Sequence, residues 1–177
     1  GPMAKAAPAK TTSPSRPGDI VVVIDTREQQ PYAFDPALVT NEGAIICRMG
    51  KALRRGEEHA LAQSLLSLGV PILATIHGEG TLEGGDTLWL DERTLLVGRS
   101  YRTNDEGIRQ LTRALDGIAE VIAVPLPHWR GQDEVLHLLS LLSPVSENLV
   151  VAYPPLMPIP LIELLEAHGI EMLAIPD

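Results

Sequence analysis

The stretch TLWLDERTLLVGRSYRTNDEGIRQLTRALDGIAEVIAV, residues 87–124, contains two short apolar runs, a helical pattern and a third apolar run. Thr87–Leu90 and Thr94–Gly98, separated by the polar turn Asp91-Glu92-Arg93, read as paired strands. Asn104–Leu115 places Ile108, Leu111 and Leu115 on one side of a helix, with Thr103 and Glu106 in capping-box spacing at its start. Glu120–Val124 reads as a strand again. The unit is strand-strand-helix-strand.

The same order recurs on both sides. Gly43–Arg48 and Ile72–Ile76 read as strands flanking a helix over Arg54–Leu68, which carries Leu61, Leu65 and Leu68 and stops at Gly69. Val135–Leu142 and Asn148–Ala152 read as strands before a helix over Leu161–His168, with Pro160 at its first turn and Gly169 just past its end. Ile170–Ile175 closes that unit. The helices recur about every fifty residues, the mark of a repeat architecture in which neighbouring units bury each other's apolar faces. Ile20–Ile24 is assigned as the leading strand of the first unit. The expected fold is α/β, a partial α/β propeller with helices outside and strands lining the interior; an ordinary α/β sandwich is the competing architecture.

Composition bounds the rest. At 177 residues, 45% hydrophobic and 21% charged, the chain suits one folded domain. Residues 1–18 form a separate object: Gly1-Pro2 before Met3 resembles a protease scar, and Ala4–Gly18 is an acid-free stretch rich in Ala, Pro, Ser and Thr, expected to be a disordered tail. The folded part is then 19–177. With 14 basic and 23 acidic residues the net charge is −9, which argues against general binding to a phosphate backbone. Aromatic residues are 3%, too few for a base-stacking platform. One cysteine excludes an internal disulfide, and no apolar run approaches the roughly 18–20 residues that span a bilayer. A reducing cytoplasm is the expected setting.

The densest polar constellation is Leu82-Glu83-Gly84-Gly85-Asp86, followed by Val97-Gly98-Arg99-Ser100-Tyr101-Arg102-Thr103-Asn104. Two glycines between two carboxylates permit a sharp turn that aims both acids at one cavity. Paired carboxylates accept the forked N–H donors of a guanidinium. Arg102, just before a helix start, is placed to meet a carboxylate. The competing reading is a tight turn with a capping acid. Cys47, inside Ala44-Ile45-Ile46-Cys47, reads as a core residue of a strand. His59, His77, His128 and His168 read as structural, and no histidine pair has metal-ligand spacing, so no metal or other cofactor is expected.

LEGGD, VGRSYRTN and the isolated His137 in VLHLL, together with DPALVTNEGAIICRMGKALRRGEE, resemble the guanidino-group-modifying superfamily of arginine deiminases, dimethylarginine dimethylaminohydrolases and amidinotransferases, from about Asp35 onward. The resemblance implies a pentein-like fan of five strand-strand-helix-strand units and a small arginine-like substrate. It implies guanidinium binding by Asp35 and Glu83 and a substrate contact by Asp86. Arg54 or Arg55, and Arg102, would hold the substrate carboxylate, and His137 would act as general acid and base. Phe34 stands where the family usually has arginine. Leu139 stands where the deiminases have aspartate, which turns the reading away from plain arginine deimination. The resemblance places the family's nucleophilic cysteine near the C-terminus, past residue 177. A truncated chain showing three of five units, without its nucleophile, is therefore expected, and its open strand edges make a homo-oligomer one expected state.

A second resemblance lies in residues 20–34, where Val21-Val22-Val23-Ile24-Asp25-Thr26-Arg27-Glu28-Gln29-Gln30-Pro31-Tyr32-Ala33-Phe34 is similar to the opening strand of ERCC4-type metal-dependent DNA nucleases. It implies Mg²⁺ held by Asp25, Glu28, Asp86 and Glu92, and nucleic acid is an expected partner only under that reading. A third expectation is a non-catalytic binding or scaffold domain that kept the fold.

Overall fold

The computed structural model describes residues 32–176. The strand expected at Ile20–Ile24 and the tail lie outside the described residues. Among the described residues ten strands form three separate sheets, accompanied by four α-helices.

In the first sheet, β1 (Tyr32–Phe34) and β2 (Ala37–Thr40) pair antiparallel, and β2 pairs antiparallel with β3 (Gly43–Ile46). Helix α1 (Glu57–Ser67) crosses to β4 (Ile72–Thr75), parallel to β3. The second sheet repeats this: β5 (Thr87–Asp91) antiparallel to β6 (Thr94–Arg99), then α2 (Asp105–Ala114), then β7 (Glu120–Pro125) parallel to β6. In the third, the short α3 (Leu138–Leu141) precedes β8 (Leu142–Ser146), antiparallel to β9 (Leu149–Ala152). Helix α4 (Ile159–Ala167) then leads to β10 (Glu171–Ala174), parallel to β9. Three units thus share one strand order, with the second strand of each central, and a single continuous sheet is excluded.

Three sequence expectations change. The leading strand of the first unit is β2 rather than Ile20–Ile24. Val135–Leu142 is not a strand: Leu138 and Leu141 bury side chains one turn apart on α3, and β8 begins where that run ends. The helices also do not simply ring the outside. Ile108, Leu111 and Leu115 share one apolar cluster with Leu38, Ile45 and Cys47 of the first unit and with Leu95 and Val97 of β6. Leu161 and Leu165 of α4 likewise join Leu88, Leu96 and Val124 of the second sheet to Val150 and Ala152 of the third. Each of these two helices is a wedge between its own sheet and the one before it.

The period is set by one recurring stop. Gly69, Gly117 and Gly169 follow the three crossover helices with φ of 80°, 76° and 67°, a left-handed conformation that glycine adopts without steric cost and that turns the chain back toward the sheet. Because α2 holds two sheets together, Leu111→Ala is expected to destabilise the protein by about 2–5 kcal/mol. Leu66→Ala, on the exposed side of α1, should stay within about 0.5 kcal/mol. Urea unfolding of the two variants checks this.

Candidate functional site

The turn Gly84–Asp86 enters β5, and the site's two buried acids, Glu83 just before it and Asp86 at its end, have no solvent exposure. Its glycines are not in the left-handed region, so the turn does not require them for its φ angles. Gly85 is required for room. A Cβ there would lie 2.9 Å from Asp35 Oδ1 and 3.0 Å from the His137 ring. The Gly85 amide donates to Asp35 Oδ1 at 2.9 Å and the Gly84 amide to the Asp35 carbonyl at 3.0 Å, so the first unit's acid is clamped onto the second unit's turn.

Glu83 Oε1 accepts the Gly50 amide at 2.9 Å, and the Glu83 amide donates to Thr103 Oγ1 at 3.1 Å. Oε2 makes no well-directed hydrogen bond and is met by charge alone: the Arg102 guanidinium in direct contact, Arg54 at 3.7 Å and His137 Nε2 at 3.5 Å. Asp86, read from the sequence as a substrate contact, has protein partners. Ser100 Oγ donates to its Oδ2 at 3.0 Å, the Leu138 amide donates to Oδ1 at 3.1 Å, and His137 Nδ1 lies 3.2 Å from Oδ1. Leu138 and Leu141, anchored in the core, fix the start of α3 and with it the imidazole. Ser100 Oγ also accepts the amides of Arg102 and Thr103, which sets the bend carrying Arg102.

The structure holds Arg54 and Arg55 differently. Arg54 donates to Asp35 Oδ2 at 2.9 Å and twice to Glu57, whereas Arg55 Nε reaches the Met49 carbonyl. Burial acts to raise the Asp35 pKa, but hydrogen bonds from Arg54 and Gly85, with the nearby His137, outweigh it and hold the carboxyl below its ordinary range. Glu57 is also lowered, first by its bond to Arg54. Asp35, Glu83, Asp86, Arg54, Arg102 and His137, all named from sequence, thus converge from three units. Sequence reading missed Gly50, Glu57 and Ser100. Glu57, three residues past Arg54, and Ser100, inside GRSYRTN, were visible as positions, but their bonds were not. Asn104, rather than Thr103, caps α2, its Oδ1 accepting the Gly107 amide at 2.8 Å, which frees the Thr103 hydroxyl for Glu83.

Asp35, Glu83 and His137 offer ligand atoms all within 4.8 Å of one another, close enough for a metal ion. Arg54 lies on Asp35 and Arg102 on Glu83, so the two acids of this set already meet planar, forked cations. The nuclease set does not form. Asp86 and Glu92 sit beyond opposite ends of β5, roughly 17–20 Å apart at strand rise, and Asp25 and Glu28 lie outside the described residues.

Repeated ββαβ units with acids, arginines and a histidine converging from all three form a pentein-type arrangement. Residues 9–174 match the arginine deiminase family, and the chain belongs to it. That match runs through residues 20–34, and nothing supports the nuclease-like reading of that segment. The N(G),N(G)-dimethylarginine dimethylaminohydrolase of Streptomyces coelicolor is 34% identical over 130 residues, 73% of this chain and 47% of the relative. The Listeria welshimeri arginine deiminase is 31% identical over 133 residues, covering 70% and 32% respectively. A Pseudomonas aeruginosa dimethylarginine dimethylaminohydrolase mutant, solved with citrulline, superposes with a TM-score of 0.65 at 29% identity, over 80% of this chain and 51% of that one. The N-terminal domain of ArgZ, a cyanobacterial arginine dihydrolase solved with its substrate, gives 0.68 at 22% identity over 81% and 52%, a likeness of fold. The chain spans about half the length of the dimethylarginine dimethylaminohydrolases it matches.

Two outcomes test this geometry. Gly85→Ala is expected to displace the His137 ring, moving its imidazole NMR signals and costing about 1–3 kcal/mol; unmoved signals would refute the packing argument. Because folding lowers the Asp35 pKa, its stabilisation is complete above the ordinary carboxyl value of 3.8 and is lost as pH falls below it. The stability gap between wild type and Asp35→Asn should therefore be full at neutral pH and close in acid, as read by denaturation at several pH values.

Proposed function

We propose that this chain supplies the guanidinium-holding and proton-transferring half of a guanidino-group-modifying site for a small arginine-like substrate. The observation that carries the reading is the convergence of Asp35, Glu83 and His137 around one point, with Arg54 and Arg102 at its rim. Asp35 and Glu83 accept the N–H groups of the guanidinium from different sides. His137 protonates the leaving amine and then takes a proton from water. Asp86 acts one step back, as the group that orients His137. Arg54 and Arg102 meet the carboxylate end.

The reaction class uses a thiolate that attacks the guanidinium carbon. Cys47, the only cysteine of the 177 residues, has no solvent exposure. Burial above all, then the charges of Asp35 and Glu83, pushes its pKa far above the ordinary thiol value. It is a core residue of the first sheet's cluster, and within these residues no thiolate can be delivered to the substrate. The chain by itself is therefore a binding unit, and the non-catalytic reading and the enzymatic one share this site. A buried, unpaired thiol also suits the reducing cytoplasmic setting.

Calorimetric titration with arginine and N-methylated arginines tests the proposal. Binding to the wild type, weakened at least tenfold by Glu83→Gln, is expected, since charged hydrogen bonds contribute about 1.5–3 kcal/mol each. No citrulline or ornithine should form, with or without Cys47→Ser. Turnover abolished by Cys47→Ser would overturn the assignment of Cys47 to the core, and absence of binding would overturn the site.

A further inference from the structure

We infer that Arg102 is a stand-in for the substrate guanidinium: it occupies Glu83 while the site is empty and exchanges Glu83 for the substrate's carboxylate on binding. The inference rests on the reading under Proposed function and adds to it a means of selecting guanidino acids over guanidines without a carboxylate.

The two arginines at the rim are held differently. Arg54 is fixed by three hydrogen bonds, two to Glu57 and one to Asp35, and its contact with Glu83 at 3.7 Å is incidental to them. Arg102 has the Glu83 carboxylate as its acidic partner, and its Nε is buried with no partner at all. Its backbone is pinned, since the amide donates to Ser100 Oγ and a Cβ on Gly50 would come within 2.6 Å of the Arg102 Cα and carbonyl oxygen. The side chain, held by its contact with Glu83, is the part that the exchange moves.

Glu83 supplies the complementary half of the argument. Its carboxylate is wholly buried, and an uncompensated charge there is strongly unfavourable. Oε1 is satisfied by the Gly50 amide, while Oε2, the oxygen nearest His137, carries no directed hydrogen bond and is neutralised by Arg102. That oxygen is where a bound guanidinium must donate if His137 is to reach its nitrogen. Arg102 is in contact with that oxygen and Arg54 stands 3.7 Å from it, so a bound guanidinium crowds a third positive group onto it; Arg102, which lacks the further hydrogen bonds that hold Arg54, is the one displaced. An arginine-like acid offers the released Arg102 a carboxylate, which restores the charge balance. A guanidine without a carboxylate leaves Arg102 unpaired, and its affinity is lowered by the cost of that displacement.

The experiment measures dissociation constants of arginine and of agmatine, the same guanidinium without the carboxylate, for the wild-type chain and for Arg102→Met, which keeps much of the apolar stem. Wild type should prefer arginine. In Arg102→Met, arginine should bind more weakly while agmatine binds roughly tenfold more tightly than to wild type, the factor expected from removing one competing charged contact. The gain for agmatine is the decisive result, because a residue that only holds the carboxylate, or only supports the fold, cannot produce it. Unchanged or weaker agmatine binding would overturn the exchange even where arginine binding to wild type upholds the site. Failure of arginine to bind wild type would remove the site and the exchange together. Should Arg102→Met not fold, as judged by its melting transition, Arg102→Lys removes the forked donor but keeps the charge, and a smaller gain for agmatine is expected; no gain overturns the proposal.

Discussion

Two carboxylates buried without solvent contact, Glu83 and Asp86, are the constraint on which this molecule turns. A buried charge is tolerated only when donors surround it, and here the donors come from every unit. The first contributes the Gly50 amide and Arg54, the second Ser100 and Arg102, and the third the Leu138 amide and His137. Among the described residues the three sheets exchange no strands, and the first two units meet in one isolated antiparallel bridge between Arg48 and Leu82. Their apolar faces pack through α2 and α4, which resists separation but specifies relative orientation only loosely. The acid pair, with the Arg48–Leu82 bridge, supplies the direction. A small rotation of one unit against another would leave a carboxylate without its donors, so the same bonds that set the site set the angle between units.

Close backbone approach is the second condition. Gly107 brings α2 against Thr81, whose carbonyl oxygen would lie 2.0 Å from a Cβ at that position. Gly50 does the same for the Arg102 segment, and Gly85 for Asp35 and His137. None of these three has a positive φ, and their value lies in the absent side chain. The site is therefore built at points where chain segments from different units nearly touch, and side chains as short as aspartate span the remaining gap.

Much of this was legible in the sequence, for identifiable reasons. Helical periodicity around Leu111 and Leu161 and the recurring glycine stops gave the period, because both are local signals. The LEGGD and GRSYRTN runs gave the acids and Arg102, because several functional groups lie within a few positions. What was missed depended on tertiary context. Ala37–Thr40 is four residues long and buried throughout, too short for any periodicity to register. Val135–Leu142 is apolar enough to suit either strand or helix, and the true strand β8 is an edge strand with Pro144 and exposed side chains, a pattern that reads as loop. The partition of roles between Glu83 and Asp86 was illegible because it depends on which acid faces Ser100 and Leu138, residues well removed from it in sequence.

The placement of Cys47 has a use apart from chemistry. Thiol reagents attack the thiolate, and a thiol that is fully enclosed with its pKa pushed upward presents almost none at neutral pH while the first sheet is closed. Alkylation of the native chain therefore proceeds only through transient opening of the β3 region, and its rate reports the frequency of that opening. The protein carries its own single-site clock for breathing of the first unit, with no competing thiol elsewhere in these 177 residues to obscure the reading.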